Sequence, residues 1–229
     1  MKLPVSLKRT ILLLALFFLS VTTLKAQDKQ QQKLDASVRV IQEFGKLRES
    51  IPKQLMQKTE GIIIIPGMIN AGFVLGGKRG KGVAMIKNEN GTWSNPVFLT
   101  LTGGSLGFQA GIQSVDLVLV FLNKTALLNI GKSSFTLGGD ISVAAGPVGR
   151  SSSAGTDYKL ESEVYTYSRS KGLFAGISVS GSSLDIDQKA NGSFYGDEDD
   201  AAALFADKKP STVAAVKTLK QTLNNLYKK

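Results

Sequence analysis

Residues 71–82 read AGFVLGGKRGKG: an apolar run, then Lys78, Arg79 and Lys81 interleaved with Gly76, Gly77, Gly80 and Gly82. Glycine lets successive backbone amides converge in a nest that attracts anions, and cations add charge at the same point. Phosphate is the ligand that such chemistry suits. Two further stretches combine the same residue types: AAGPVGR, ending at Arg150, and YSRSKG, with Arg169 and Lys171. In the competing reading each is a solvated turn, where Gly shapes the backbone and Lys keeps it soluble. Neither GGKRGKG nor NIGKSS satisfies the Walker pattern, and a strand rather than a helix follows GGKRGKG, so it is no dinucleotide fingerprint.

Other chemistry is thinly represented. The chain has no His and no Cys, which removes the commonest general base, the thiol nucleophile and the usual soft metal ligands. Asp185 and Asp187 in SLDIDQ stand two apart on an expected strand and read as a solvated face rather than a catalytic pair. The acidic run at Asp197, Glu198, Asp199 and Asp200 lacks EF-hand spacing and reads as the start of a helix near Ala201. No enzyme, metal site or cofactor is expected.

The elements that must position the cations fall into three regions. From Gln27 to Glu60 there is one Gly, and Val40, Phe44, Leu47 and Ile51 recur at helical spacing after a linker-like DKQQQK. Ser50, Pro52 and Gly61 suit the cap, first turn and stop of a second helix. Gly61 to Gly196 holds 23 of the 24 glycines along with β-branched and aromatic runs such as GIIIIP, KGVAMIKN and ESEVYTYS. The Asn90-Gly91 pair marks a hairpin, and DLVLVFL has no alternation and should be buried on both faces. Connections are too short for helical crossovers, so the sheet should be mainly antiparallel. From Pro210 onward Val216, Leu219, Leu223 and Leu226 form a stripe that should dock on the sheet, with Ser211 as cap. The expected fold is α+β: a glycine-rich, mainly antiparallel sheet or sandwich with helices at both ends.

Residues 1–26 have a basic start (Lys2, Lys8, Arg9), an apolar stretch from Ile11 to Val21 and a small residue at Ala26. That is the layout of a cleaved signal peptide, and the stretch is well short of the roughly 20 residues that span a bilayer. An exported chain without Cys can have no disulfide and must rely on its core. The formal charge is +10, or +6 once the four cations of the leader are set aside. A mildly basic protein outside the cytoplasm suits an anionic membrane surface better than nucleic acid.

The ordered motifs IP (51–52), GKGV, WSNP, GGSLGFQAG, AAGPVGR, YSRSKGLFAG and YG resemble those of the SYLF-domain family. The likeness runs from about Ile51 to the C-terminal helix, giving an expected division into signal peptide (1–26), linker and N-terminal helix (27–50) and SYLF-like domain (51–229). The resemblance implies membrane-lipid binding, in eukaryotic members chiefly of phosphoinositides, with actin binding in some. For an exported member the implied ligands are anionic phospholipids or lipid A phosphates, held by Lys78, Arg79, Lys81, Arg150, Arg169 and Lys171. The family's amphipathic N-terminal helix corresponds to Leu34–Leu47, whose mixed charges (Arg39, Glu43, Lys46) suit packing on the sheet as well as membrane contact. An envelope scaffold acting through protein contacts is the alternative.

Overall fold

The computed structural model describes residues 28–47, 51–130, 135–147, 160–171, 173–174, 176–196, 201–207 and 211–225, with backbone alone at 73–75, 105–110 and 174. The leader (1–26), Arg150 and the acidic run 197–200 therefore lie outside the described residues.

Two very long strands dominate. β1 (Gly61–Ile86) and β2 (Val97–Phe121) form one antiparallel ribbon. Its closed end is the expected Asn90-Gly91 turn, where Gly91 takes φ 77 and its amide donates to Asn88 O at 2.9 Å. Register shifts at Ile65/Met68 and Gly72/Val74 bend the ribbon. It then folds back until its two ends meet: Lys87 N donates to Glu60 O at 2.8 Å, and Glu60 N to Phe121 O at 2.9 Å. The reading of GGKRGKG as a glycine-shaped turn is thus corrected, since the segment lies inside β1, each residue paired with one between Leu99 and Ser105 of β2. The glycines are required for a different reason. A Cβ on Gly80 would sit 3.0 Å from Met68 Cβ, and one on Gly82 would fall on the Ile64 carbonyl, so the fold-back needs bare backbone at both.

β5 (Val164–Ser170) and β7 (Ser182–Ile186) pair antiparallel with opposite halves of β2. β3 (Phe135–Leu137) joins β7, β6 (Leu173–Phe174) joins β5, and β4 (Val143–Ala145) runs parallel to β5. The curled sheet is nearly a barrel, and the fold is α+β. Both faces are covered, which explains the unbroken apolar runs GIIIIP and DLVLVFL: Ile63, Ile65, Leu117, Leu119 and Phe121 face one core, and Ile62, Ile64, Val118 and Val120 the other.

Helices pack on that second face. α1, at 28–46, begins where a linker was expected, because the Gln and Lys of DKQQQK are good helix formers. Its Leu34, Val38, Ile41 and Phe44 are buried on the sheet. α2 (Lys53–Lys58) adds Leu55 and Met56. α4 (Gln188–Tyr195) adds Phe194, and α6 (Ala214–Asn225) adds Val216, Leu219 and Leu223 of the expected stripe, whose Leu226 lies outside the described residues. The short α3 (Thr125–Asn129) and α5 (Ala201–Phe205) close the other core with Leu127, Leu204 and Phe205.

Candidate anion-binding site

Strand alternation separates the three cations of GGKRGKG. Lys78 points inward with the core, is only 5% exposed, and donates from Nζ to Ser178 O at 2.6 Å. Burial holds its pKa below the ordinary lysine value. It cannot reach a bilayer. Arg79 and Lys81, two residues apart, share the opposite face and are exposed.

Lys81 anchors a cluster that no local motif announces. Its Nζ lies 2.7 Å from Asp187 Oδ2. Asp187 was expected on a strand face, but β7 stops at Ile186 and the carboxylate instead caps α4, accepting from Ala190 N at 3.0 Å. Burial works to raise the Asp187 pKa; the Lys81 hydrogen bond, the Ala190 amide and the charges of Lys81 and Lys189 outweigh it and hold the group below its usual value. Lys33, on α1, has its pKa lowered first by burial and then by the nearby charge of Lys81. Lys81 and Lys189 thus act on one carboxylate, with Lys33 close to Lys81 and Arg79 next along the strand face. The net charge is positive.

The folded pKa of Asp187 is depressed, so its contribution to stability is full above the ordinary value of 3.8 and disappears as pH falls through the lower folded value. Asp187→Asn keeps an N-cap acceptor but loses the ion pair. It should cost roughly 1 kcal/mol at pH 7. That deficit should vanish in strong acid, and thermal melts across pH would check it; a deficit that persists there would mean the ion pair is not its source.

The remaining predicted cations are spent or placed elsewhere. Arg169 does not present a free guanidinium: Nη2 lies 2.7 Å from Asp116 Oδ2, Nη1 lies 3.4 Å from Glu43 Oε2, and the group stands over the Phe44 ring. It lines a cleft of about 460 Å³ between α1 and the sheet, with Arg39, Glu43, Pro66 and Asp116. Lys171 is exposed at φ 49 in the turn between β5 and β6. The five candidates among the described residues therefore form no single loop cluster. Lys33 and Lys189 were missed because they lie far in sequence from the glycine-rich segment. Among the described residues no His, Cys, Asp and Glu grouping could hold a metal, and no helix is long and apolar enough to cross a membrane.

Residues 102–226 match the family model described as Ysc84, Las17-binding protein actin regulator. LAS seventeen-binding protein 3 of Saccharomyces cerevisiae is 37% identical over 179 residues, which cover 76% of this chain and 39% of that protein. The chain belongs to the SYLF (Ysc84) family. Other SYLF relatives are Protein YSC84 of Saccharomyces cerevisiae, 37% identical over 76% of this chain and 38% of its own length, and SH3 domain-containing YSC84-like protein 1 of Xenopus laevis, 32% identical over 78% and 53%. This chain thus spans between about two fifths and about half of the curated relatives it matches. Two SYLF markers are joined structurally here. Tyr195, of YG, donates its hydroxyl to Pro96 O of WSNP at 2.7 Å, and Ser94 Oγ of WSNP accepts from Ile86 N at 3.0 Å. Trp93 of the same motif is buried beneath Lys87, whose Nζ stands 5.3 Å from the ring. These residues tie the ribbon's closed end to α4.

Proposed function

We propose that this SYLF chain is an exported, non-enzymatic protein that binds anionic phospholipid head groups at a membrane surface. One observation carries the reading: three separate elements bring Lys33 and Lys189 to Lys81, with Arg79 on the same strand face, so that four cations outnumber the carboxylates of Asp187 and of Asp185, which shares the Lys81–Thr100–Asp185 strand row. Isolated surface cations need no such convergence. Each cation near an anionic bilayer contributes on the order of 1 kcal/mol, so three or four together can hold a peripheral protein there. A head-group phosphate would compete with Asp187 for Lys81.

Co-sedimentation with phosphatidylglycerol and phosphatidylcholine vesicles, at low and physiological salt, tests the reading in two directions. Replacing Arg79, Lys81 and Lys189 by Ala should abolish salt-sensitive binding to the anionic vesicles. Asp187→Asn, which removes the competing carboxylate, should strengthen it. A wild type that ignores both vesicle types, or a folded triple variant that binds as well as wild type, rejects the proposal. Export is tested by fractionating an expressing bacterium and sequencing the mature N-terminus, expected at Gln27.

A second reading, a scaffold that acts through protein contacts, is favoured by the relatives' names, which include Las17-binding. It predicts a protein partner and indifference to lipid charge.

A further inference from the structure

Four large apolar side chains are exposed among the described residues: Ile69 (44%), Ile112 (78%), Leu173 (73%) and Leu128 (37%). Three of them gather at one end of the sheet. Ile69 pairs with Ser114 and Ala71 with Ile112, so the two isoleucines project from the same face of the ribbon, near its bend at Gly72. Ser170 Oγ donates to Ser114 O at 3.3 Å, and Ser170 pairs with Leu173, which brings Leu173 to the same end on the other face of the sheet, so that the apolar side chains flank the apex from both sides. Leu128 sits on α3, beyond the opposite end of β2.

Cations rim this apex. Lys171 occupies the turn beside Leu173. On the other side the fold-back places Gly80 against Met68, and one step from that contact toward the bend come Arg79 on one arm and Ile69 on the other, both exposed. The neighbouring acids, Asp116 and Glu43, are both held by Arg169, at 2.7 and 3.4 Å. Exposed branched apolar side chains ringed by cations complement an anionic bilayer, whose phosphates lie directly above hydrocarbon.

We infer that the ribbon apex is a membrane wedge: Ile69, Ile112 and Leu173 enter the acyl boundary of an anionic bilayer while Arg79 and Lys171 rest among its phosphates. This deepens the lipid reading proposed above and rests on it. The wedge adds what charge alone lacks, a component of binding that survives high salt.

The test places a reporter at the apex of the full chain. With Ile112→Trp, phosphatidylglycerol vesicles carrying brominated acyl chains should quench fluorescence far more than in wild type, whose Trp93 is buried. Ile112→Asp and Leu173→Asp should each weaken vesicle binding roughly tenfold or more, since each forfeits one buried aliphatic side chain. Leu128→Asp should bind as wild type. Circular dichroism melts confirm that each variant is folded. Binding without quenching, or apex variants that bind unchanged, overturns the wedge and leaves the head-group reading standing. A wild type that binds no vesicles overturns both. Apex variants that abolish self-association rather than vesicle binding show that a second copy covers this surface and overturn the wedge.

Discussion

Replacing Gly82 by alanine is expected to destabilise the protein by about 4 kcal/mol or more, at the far end of what single substitutions do. The new Cβ would fall on the Ile64 carbonyl oxygen, 2.9 Å from its carbon and 2.8 Å from Ile65 Cγ1. These are mostly backbone atoms of the same strand, fixed by pairing with Leu117 and Val118, so no side-chain rotation can make room. The fold-back would have to open, separating Glu60 from Lys87 and uncovering both cores. Gly104→Ala is the control, because nothing lies within 4 Å of a Cβ there. Thermal melts of the two variants decide the matter: a Gly82→Ala protein melting with wild type would mean that the arms do not approach as described.

The second large effect belongs to Asn191. Its side chain treats a strand as a peptide would, accepting from Phe98 N at 2.8 Å and donating to Phe98 O at 2.9 Å from a site only 3% exposed. A second donation, to Asp187 O at 3.1 Å, fixes its orientation. Asn191→Leu preserves approximate volume and leaves the Phe98 amide buried without an acceptor. The unmet donor and the lost bonds together should cost about 3 kcal/mol. In urea this appears as a lower midpoint with an unchanged slope. A loss below roughly 1 kcal/mol would show that water replaces the side chain.

Much of the frame was legible because its signals are local. Asn90-Gly91 specifies a turn by its own backbone preferences, Leu117–Phe121 shows two-sided burial by its lack of alternation, and Val216, Leu219 and Leu223 declare a helix face by spacing. The site was legible only in part. Gly80 and Gly82 signal close approach as readily as a turn, and the atoms they approach, in Ile64 and Met68, are read only from the fold-back. Lys78 differs from Arg79 solely in strand parity, which depends on where the register shifts fall. Arg169 looked like a free cation because its partners Glu43 and Asp116 lie 126 and 53 residues away. Lys33 and Lys189 meet Lys81 by the same long-range route.

The Asn90-Gly91 turn also bears on how so non-local a sheet can assemble. Once Ala84 meets Val97, every further rung of the ribbon, out to Gly61 and Phe121, extends an existing ladder and adds little to the loop already closed. The largest pairing in the molecule can therefore zip from a local nucleus, without the search that distant strands would require. Only the final curl, when Lys87 finds Glu60, joins ends that the zipper has not already brought together.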